Sequence, residues 1–208
     1  MHILSRLKME LMAANKQSNE VEQLLEKVKN NGYAIKDIKN PSEELQLEAI
    51  KGTPDAIKDI KNPSEKVQLE AVKRDAWCVT QIKNPSEEIQ MLAIKKDPDI
   101  AKYIKNPTKK VQLEVLKKDP DYIRYIKNPS EELQMEAIKG DPEIIRFIKN
   151  PTEKARLKAV KMNPNVIAWI YDQTEEMQME VLKKNPKILP EFIRNPSEKV
   201  QLEMNRRK

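Results

Sequence analysis

Asn40-Pro41-Ser42-Glu43-Glu44-Leu45-Gln46-Leu47-Glu48-Ala49-Ile50 is the stretch whose reading decides the fold. Asparagine is a favoured N-cap and proline suits the first helical position. Glu43 stands where a capping-box glutamate reaches back to the cap's backbone amide. The residue before proline is pushed out of the α region, as a cap must be. A helix is therefore expected to open at Asn40. At about 100° per residue, Leu45 and Ala49 fall together, Ile50 and Leu47 lie roughly opposite, and Gln46 falls between them. That arc is wider than the ~100° stripe of an ordinary surface helix. A helix with a neighbour on both sides needs it.

Working outward, Asn-Pro followed by Ser or Thr begins at Asn40, Asn62, Asn84, Asn106, Asn128 and Asn150, each 22 residues after the last. The next start is degraded to Asp172-Gln173-Thr174. Asn195-Pro196-Ser197 then follows 23 residues later, which marks an insertion near Pro190. The same grammar recurs in mid-repeat at Asp97-Pro98, Asp119-Pro120, Asp141-Pro142, Asn163-Pro164 and Asn185-Pro186. These pairs are expected to open a second helix of about two turns, with Ile144, Ile145 and Ile148 as apolar positions. Prolines this frequent would wreck one long helix, but at caps they punctuate short ones. Helices this short are marginal alone and gain stability by stacking.

The sequence therefore predicts an all-α fold: a right-handed α-solenoid of stacked 22-residue two-helix repeats with capping helices at both ends. Residues 1–17 form the N-terminal cap, with Leu4, Leu7 and Leu11 on one face. Residues 18–194 hold eight repeats in one continuous solenoid, the first of them a divergent unit from Ser18 to Lys39. Residues 195–208 are a C-terminal half-repeat closing on Asn205-Arg206-Arg207-Lys208.

The chain has 208 residues, 35% of them charged, only 4% aromatic, and three glycines. That composition suits a thin continuous core better than a deep globular one. A net charge of +6 permits nucleic-acid contact without demanding it. One cysteine, Cys78, excludes an intramolecular disulfide and fits a reducing compartment. The charges at Arg6, Lys8 and Glu10 leave no signal-peptide core, and no run of about 18 apolar residues suggests a membrane span. The expected location is the cytoplasm of a bacterial cell, or of the host if a phage encodes the chain.

The run from Asn40 to Ile50, recurring along about residues 30–204, resembles a short-repeat family of unknown function found in bacterial, phage and giant-virus proteins. Its units read approximately Asn-Pro-Ser-Glu-Glu-Val-Gln-Leu-x-Ala-Val. More loosely, the unit is similar to variant leucine-rich repeats. The resemblance implies a helical repeat fold and no activity. Departures from the pattern are Lys109 at the capping-glutamate position, Ala155-Arg156-Leu157-Lys158, and Asp172-Gln173 for Asn-Pro.

No catalytic residue, metal site or cofactor is expected. The only histidine is His2, and Cys78 sits in the small apolar slot that Ala34 and Ala56 hold elsewhere, with no base beside it. Gly32, Gly52 and Gly140 are isolated, so no phosphate loop is present. The recurring glutamines, among them Gln46, Gln90 and Gln134, lie within the apolar arc and are expected to bond between layers. Lysines such as Lys51, Lys117 and Lys139 read as a solvated face paired with glutamates.

The candidate binding column is Tyr103, Tyr125, Phe147 and Trp169, preceded by Lys102, Arg124, Arg146 and Ala168. Aromatics and arginines anchor protein interfaces. The irregular unit adds Arg156, Lys158 and Tyr171. The expectation is a non-enzymatic scaffold that binds a protein partner, with no membrane and no small-molecule substrate. Single-stranded RNA or DNA along the same column is the alternative, since aromatics among cations also stack bases. The charge alternation speaks against it: repeats 106–127 and 150–171 are net basic, while 128–149 is net acidic. A third reading, implied by the phage resemblance alone, is an inhibitor gripping a bacterial defence complex such as a CRISPR assembly.

Overall fold

A computed structural model describes residues 2–188 and 190–206; within 2–17, only the side chains of Met12 and Lys16 are described. The apolar face expected of Leu4, Leu7 and Leu11, the side chain of His2, and the closing Arg207-Lys208 lie outside the described residues. The α-helices are α1 (His2–Asn30), α2 (Glu43–Gly52), α3 (Glu65–Arg74), α4 (Glu87–Lys96), α5 (Lys109–Leu116), α6 (Glu131–Gly140), α7 (Glu153–Met162), α8 (Glu175–Lys184) and α9 (Glu198–Arg206). Among the described residues there is no strand. The chain divides into two compact units, residues 1–108 and 109–208, and within each unit consecutive helices pack on one another. α1 runs unbroken through Ser18, so the 1–17 leader and the first helix of the divergent repeat are one element.

In all but the last full repeat the second helix is a six-residue 3₁₀ helix. In the first unit these are Gly32–Asp37, Pro54–Asp59, Ala76–Gln81 and Pro98–Tyr103; in the second, Pro120–Tyr125, Pro142–Phe147 and Pro164–Trp169. Their caps follow the sequence. Asp97, Asp119, Asp141 and Asn163 each accept the backbone N–H two residues on, at 2.8–3.0 Å, with proline at the first helical position. Asn185-Pro186 opens no such helix. A turn stands there, and after the insertion only a short 3₁₀ segment, Pro190–Phe192, forms.

The α-helices start two residues later than the Asn-Pro signal suggests. The N-cap of α2 is Ser42, whose Oγ accepts the Leu45 N–H at 3.3 Å. Asn40 stands outside the helix at φ 51°, as Asn128 does at 53° and Asn195 at 46°. Asparagine tolerates this left-handed conformation better than most residues, so it turns the chain between the two helices. With Ser42 as cap, the third helical position is Leu45, and no capping box closes. Glu43 instead reaches the next repeat, accepting from Ser64 Oγ at 2.6 Å and Lys66 Nζ at 3.2 Å. Glu175 does the same with Ser197 and Lys199, and Glu131 with Lys154. At Lys109, where the glutamate is missing, the polarity reverses: Lys109 pairs with Glu132.

Each repeat supplies a fixed set of core positions. Leu45, Ala49, Ile50, Ala56, Ile57 and Ile60 are buried in one repeat, and Leu133, Ala137, Ile138, Ile144, Ile145 and Ile148 in another. Leu47 is only half-buried; with Leu69 it floors a groove between α2 and α3 whose walls are Glu48, Lys51, Lys66 and Glu70. The buried arc is thus narrower than the wheel implies. Close approach is enforced at Gly140, where a Cβ would overlap the ring of Pro120. The charged face is paired in part: Lys51 to Glu48 at 2.6 Å, Lys117 to Glu114 at 3.2 Å and Lys139 to Glu136 at 3.6 Å. Lys161 instead reaches Glu176 of the next helix at 3.0 Å, and Lys73, Lys95 and Lys183 are exposed with no ion pair among the described residues.

Candidate interaction face

In each of these short 3₁₀ helices two successive residues are buried and the two that follow face outward or lie half-buried. In Pro120–Tyr125, Tyr122 and Ile123 are buried while Arg124 and Tyr125 are exposed. In Pro142–Phe147, Ile144 and Ile145 are buried while Arg146 and Phe147 face out. In Pro164–Trp169 the outward pair is the half-buried Ala168 and the exposed Trp169. Each helix then ends on an isoleucine whose N–H bonds three residues back, as Ile148 does to Ile145 at 3.2 Å. That regularity brings the outward pairs of adjacent repeats together.

In the second unit the result is a ladder of alternating cations and rings. The Arg124 guanidinium lies 3.3 Å from the Phe147 centroid, and Arg146 lies 4.6 Å from Phe147 and 5.2 Å from Trp169. Phe147 is therefore flanked by two guanidinium groups. Arg124 is also held by Asp121 at 2.8 Å. Tyr125 is 64% and Trp169 40% exposed, so these are surface rings and not filling between helices. Tyr171, 77% exposed, carries Arg194 over its ring at 4.3 Å.

In the first unit Lys102 lies 5.5 Å from the Tyr103 centroid and pairs with Asp99 at 3.6 Å. Tyr103 also meets Trp77, centroids 5.2 Å apart. Sequence reasoning missed Trp77 because it belongs to the repeat position of Asp55 and Asp99, four places before the column. The signal was a ring at a position that Asp55, Asp99, Asp121 and Glu143 hold in other repeats.

Arg156 and Lys158 stand on α7, away from the 3₁₀ ladder, and both are engaged internally. Arg156 Nη1 donates to Asp172 at 3.1 Å, and Lys158 Nζ donates to the Met135 carbonyl at 2.9 Å. The structure thus joins Arg124, Phe147, Arg146 and Trp169 and leaves these two outside.

A second basic feature was legible in the repeat and passed over. Lys39, Lys61, Lys83 and Lys105 in the first unit, and Lys127 and Lys149 in the second, each precede an asparagine of the loop. All six are exposed, and none has an ion pair or hydrogen bond among the described residues. In the second unit Lys127, Asn128, Lys149 and Asn150 line a groove of about 410 Å³ together with Arg124 and Phe147, and no carboxylate lines it. Its base is Gln134. The amide of Gln134 donates to the Pro129 and Asn150 carbonyls at 3.0 and 3.4 Å, and its carbonyl accepts the Thr152 N–H at 2.8 Å. Gln90 likewise bridges to the backbone of the next loop, whereas Gln46 bonds only to the Pro41 carbonyl of its own repeat at 2.9 Å and its Oε1 is buried without a partner.

Elsewhere the side chains that carry chemistry are quiet. Burial pushes the Cys78 thiol up to about 12, with the charges of Asp75 and Asp55 adding to the rise. Among the described residues no three His, Cys, Asp or Glu side chains converge as metal ligands would. No described helix is long and apolar enough to cross a membrane.

No family model, curated protein or solved structure matches the chain. The functional reading therefore rests on this face alone.

Proposed function

We propose that the protein is a non-enzymatic interaction scaffold whose repeats wind as a right-handed α-solenoid within each unit and whose ladder face binds a protein partner. The observation that carries this reading is the alternation Arg124–Phe147–Arg146–Trp169 on the surface of the second unit. Arginine and large aromatics are the side chains that dominate binding energy at protein interfaces. Stacked on one another, they are ordered before the partner arrives, which lowers the entropy lost on binding.

Base stacking asks for something else: an open ring face for each base. The Arg124 guanidinium already covers a face of Phe147 at 3.3 Å. A partner therefore meets ring edges, guanidinium planes and the freely exposed Tyr125. That geometry favours a protein surface over single-stranded nucleic acid.

A photo-crosslinking residue at Tyr125, with the same residue at Lys95 as control, tests the reading in extract of the source cells. Nuclease-resistant protein adducts from position 125 and not from 95 are expected. Adducts that are nucleic acid, or equal yields from both positions, would overturn it.

A further inference from the structure

We propose that the loop edge of the second unit seats an extended acidic segment of the protein partner, one carboxylate per Lys-Asn-Pro loop. The inference rests on the protein-binding reading above and names the chemistry of the partner.

Part of the charge elsewhere is paired. On the α-helical face Lys51, Lys117 and Lys139 pair with glutamates of the same helix. Lysines at the helix starts pair across repeats. Lys127 and Lys149 have neither kind of partner, although they recur in register beside Arg124 and Arg146. A row of like charges repels itself, and the repulsion is relieved when an anion arrives. The groove between the two loops supplies ammonium groups and asparagine amides and has no carboxylate lining it. The polar groups of Gln134 at its base are already bonded. Phe147 and Arg124 line the same groove, so the lysines and the ladder form one surface.

The spacing selects the conformation of the segment. Packed helices lie about 8–10 Å apart. A polyproline II strand has three residues per turn and rises about 3.1 Å per residue, so every third side chain recurs at roughly 9 Å on one face. Carboxylates at every third position of such a strand meet successive loops without strain. Proline-rich segments also enter this conformation at low entropic cost and favour aromatic-lined grooves. Lys61, Lys83 and Lys105 repeat the arrangement in the first unit, where the groove lined by Lys83, Asn84, Lys105 and Asn106 likewise has no carboxylate.

The test uses the full chain and fluorescence anisotropy. The probes are a labelled peptide of Glu-Pro-Pro triplets, an isomer with its glutamates in one block, and oligothymidylate of equal charge. The spaced peptide is expected to bind several-fold tighter than the blocked one. K127A/K149A should weaken it by about tenfold or more, the scale of close charge pairs at interfaces. K139A, which removes a lysine that pairs with Glu136 and does not line the groove, should leave it unchanged. Equal binding of the two peptides, tighter binding of oligothymidylate, or indifference to K127A/K149A would overturn the proposal. Crosslinking at Tyr125 separates the two readings: protein adducts that persist undiminished in K127A/K149A keep the ladder interface and remove the acidic segment.

Discussion

The Arg156 guanidinium meets the Asp172 carboxylate at 3.1 Å, and the pair restores a link between repeats that two substitutions would otherwise have broken. Apart from the divergent first repeat, the other repeats carry glutamine at the position of Arg156, and neighbouring loops carry asparagine at that of Asp172. Gln134 and the Asn150 loop show the ordinary solution, an amide bonded to the backbone of the following loop. In the irregular unit a longer, charged side chain reaches a charged loop residue instead. Two departures that look independent in the sequence are thus one compensated change.

The two partners are unequally buried, and this gives a first prediction. The Arg156 side chain is 17% exposed and Asp172 87%, and Arg156 Nε is already buried without a partner. D172N leaves a largely buried guanidinium without its counter-charge and should cost about 1–2 kcal/mol. R156Q leaves only a solvated carboxylate and restores the glutamine of the other repeats, so its effect should stay within about 0.5 kcal/mol. Urea denaturation of both variants checks the order. R156Q proving the more damaging would show that the pair does not link the repeats in this way.

Gln134 makes three hydrogen bonds to the two loops beside it and is buried. Q134A would leave two carbonyls and an amide unsatisfied and is expected to destabilise by about 2–3 kcal/mol. Gln201, at the equivalent position of the last half-repeat, is exposed and bonds only to the Pro196 carbonyl at 2.9 Å. Q201A should lie within about 0.5 kcal/mol of the parent. The contrast between variants of one repeat position separates inter-repeat bonding from local helix propensity.

Asp55 ties three repeats of the first unit together and gives a pH dependence. It accepts from Lys58, from Gln81 and from the Tyr33 hydroxyl, the last at 3.0 Å. These contacts, Lys58 first, lower its pKa from 3.8 to about 2. A depressed carboxylate pKa means that stability is present above the unfolded value and is lost as the pH falls through the folded one. The Tm advantage of the parent over D55N should therefore be full above about pH 4 and shrink as the pH falls towards about 2. A difference constant across that window would remove Asp55 as the tie.

The helical repeat was legible because proline, asparagine and a 22-residue period leave few other folds open. The mid-repeat caps at Asp97, Asp119, Asp141 and Asn163 were read correctly, since an aspartate before proline has one obvious use. The α-helix cap was misplaced by two residues because asparagine and serine are both good caps, and only backbone geometry shows that Asn40 adopts the left-handed conformation. The ladder column was found from its composition. Its alternation was not, because which cation covers which ring depends on how adjacent repeats pack. The loop lysines were fully visible as a repeat position, but that they have no ion pair is a property of three dimensions alone.

Cys78 lies in the slot that holds Ala56 in one repeat and Tyr122 in another, all of them buried. With its thiol pushed up to about 12 by burial, almost none is ionised near neutrality. In the native protein Ellman's reagent should modify it only as fast as the first unit opens, and urea should expose the whole thiol at once. Rapid stoichiometric reaction of the folded protein at pH 8 would show that the slot is open.

Phe147 separates what the ladder does for the fold from what it does for a partner. The ring is 40% exposed and Arg124 and Arg146 lie 3.3 and 4.6 Å from its centroid. Truncation removes two cation–ring contacts at a solvent-facing site, so F147A should lower stability by only about 1 kcal/mol. If the ladder anchors a partner, the same variant should weaken its binding by about tenfold or more, as loss of a hot-spot side chain does. R146K sharpens the comparison, because lysine keeps the charge and loses the planar stacking surface. Partner affinity that falls in R146K as well as in F147A, at nearly parental stability, assigns binding to the stacked geometry. Affinity that follows net charge alone, with R146K equal to the parent, assigns it to the loop lysines and leaves the rings as cover for the core.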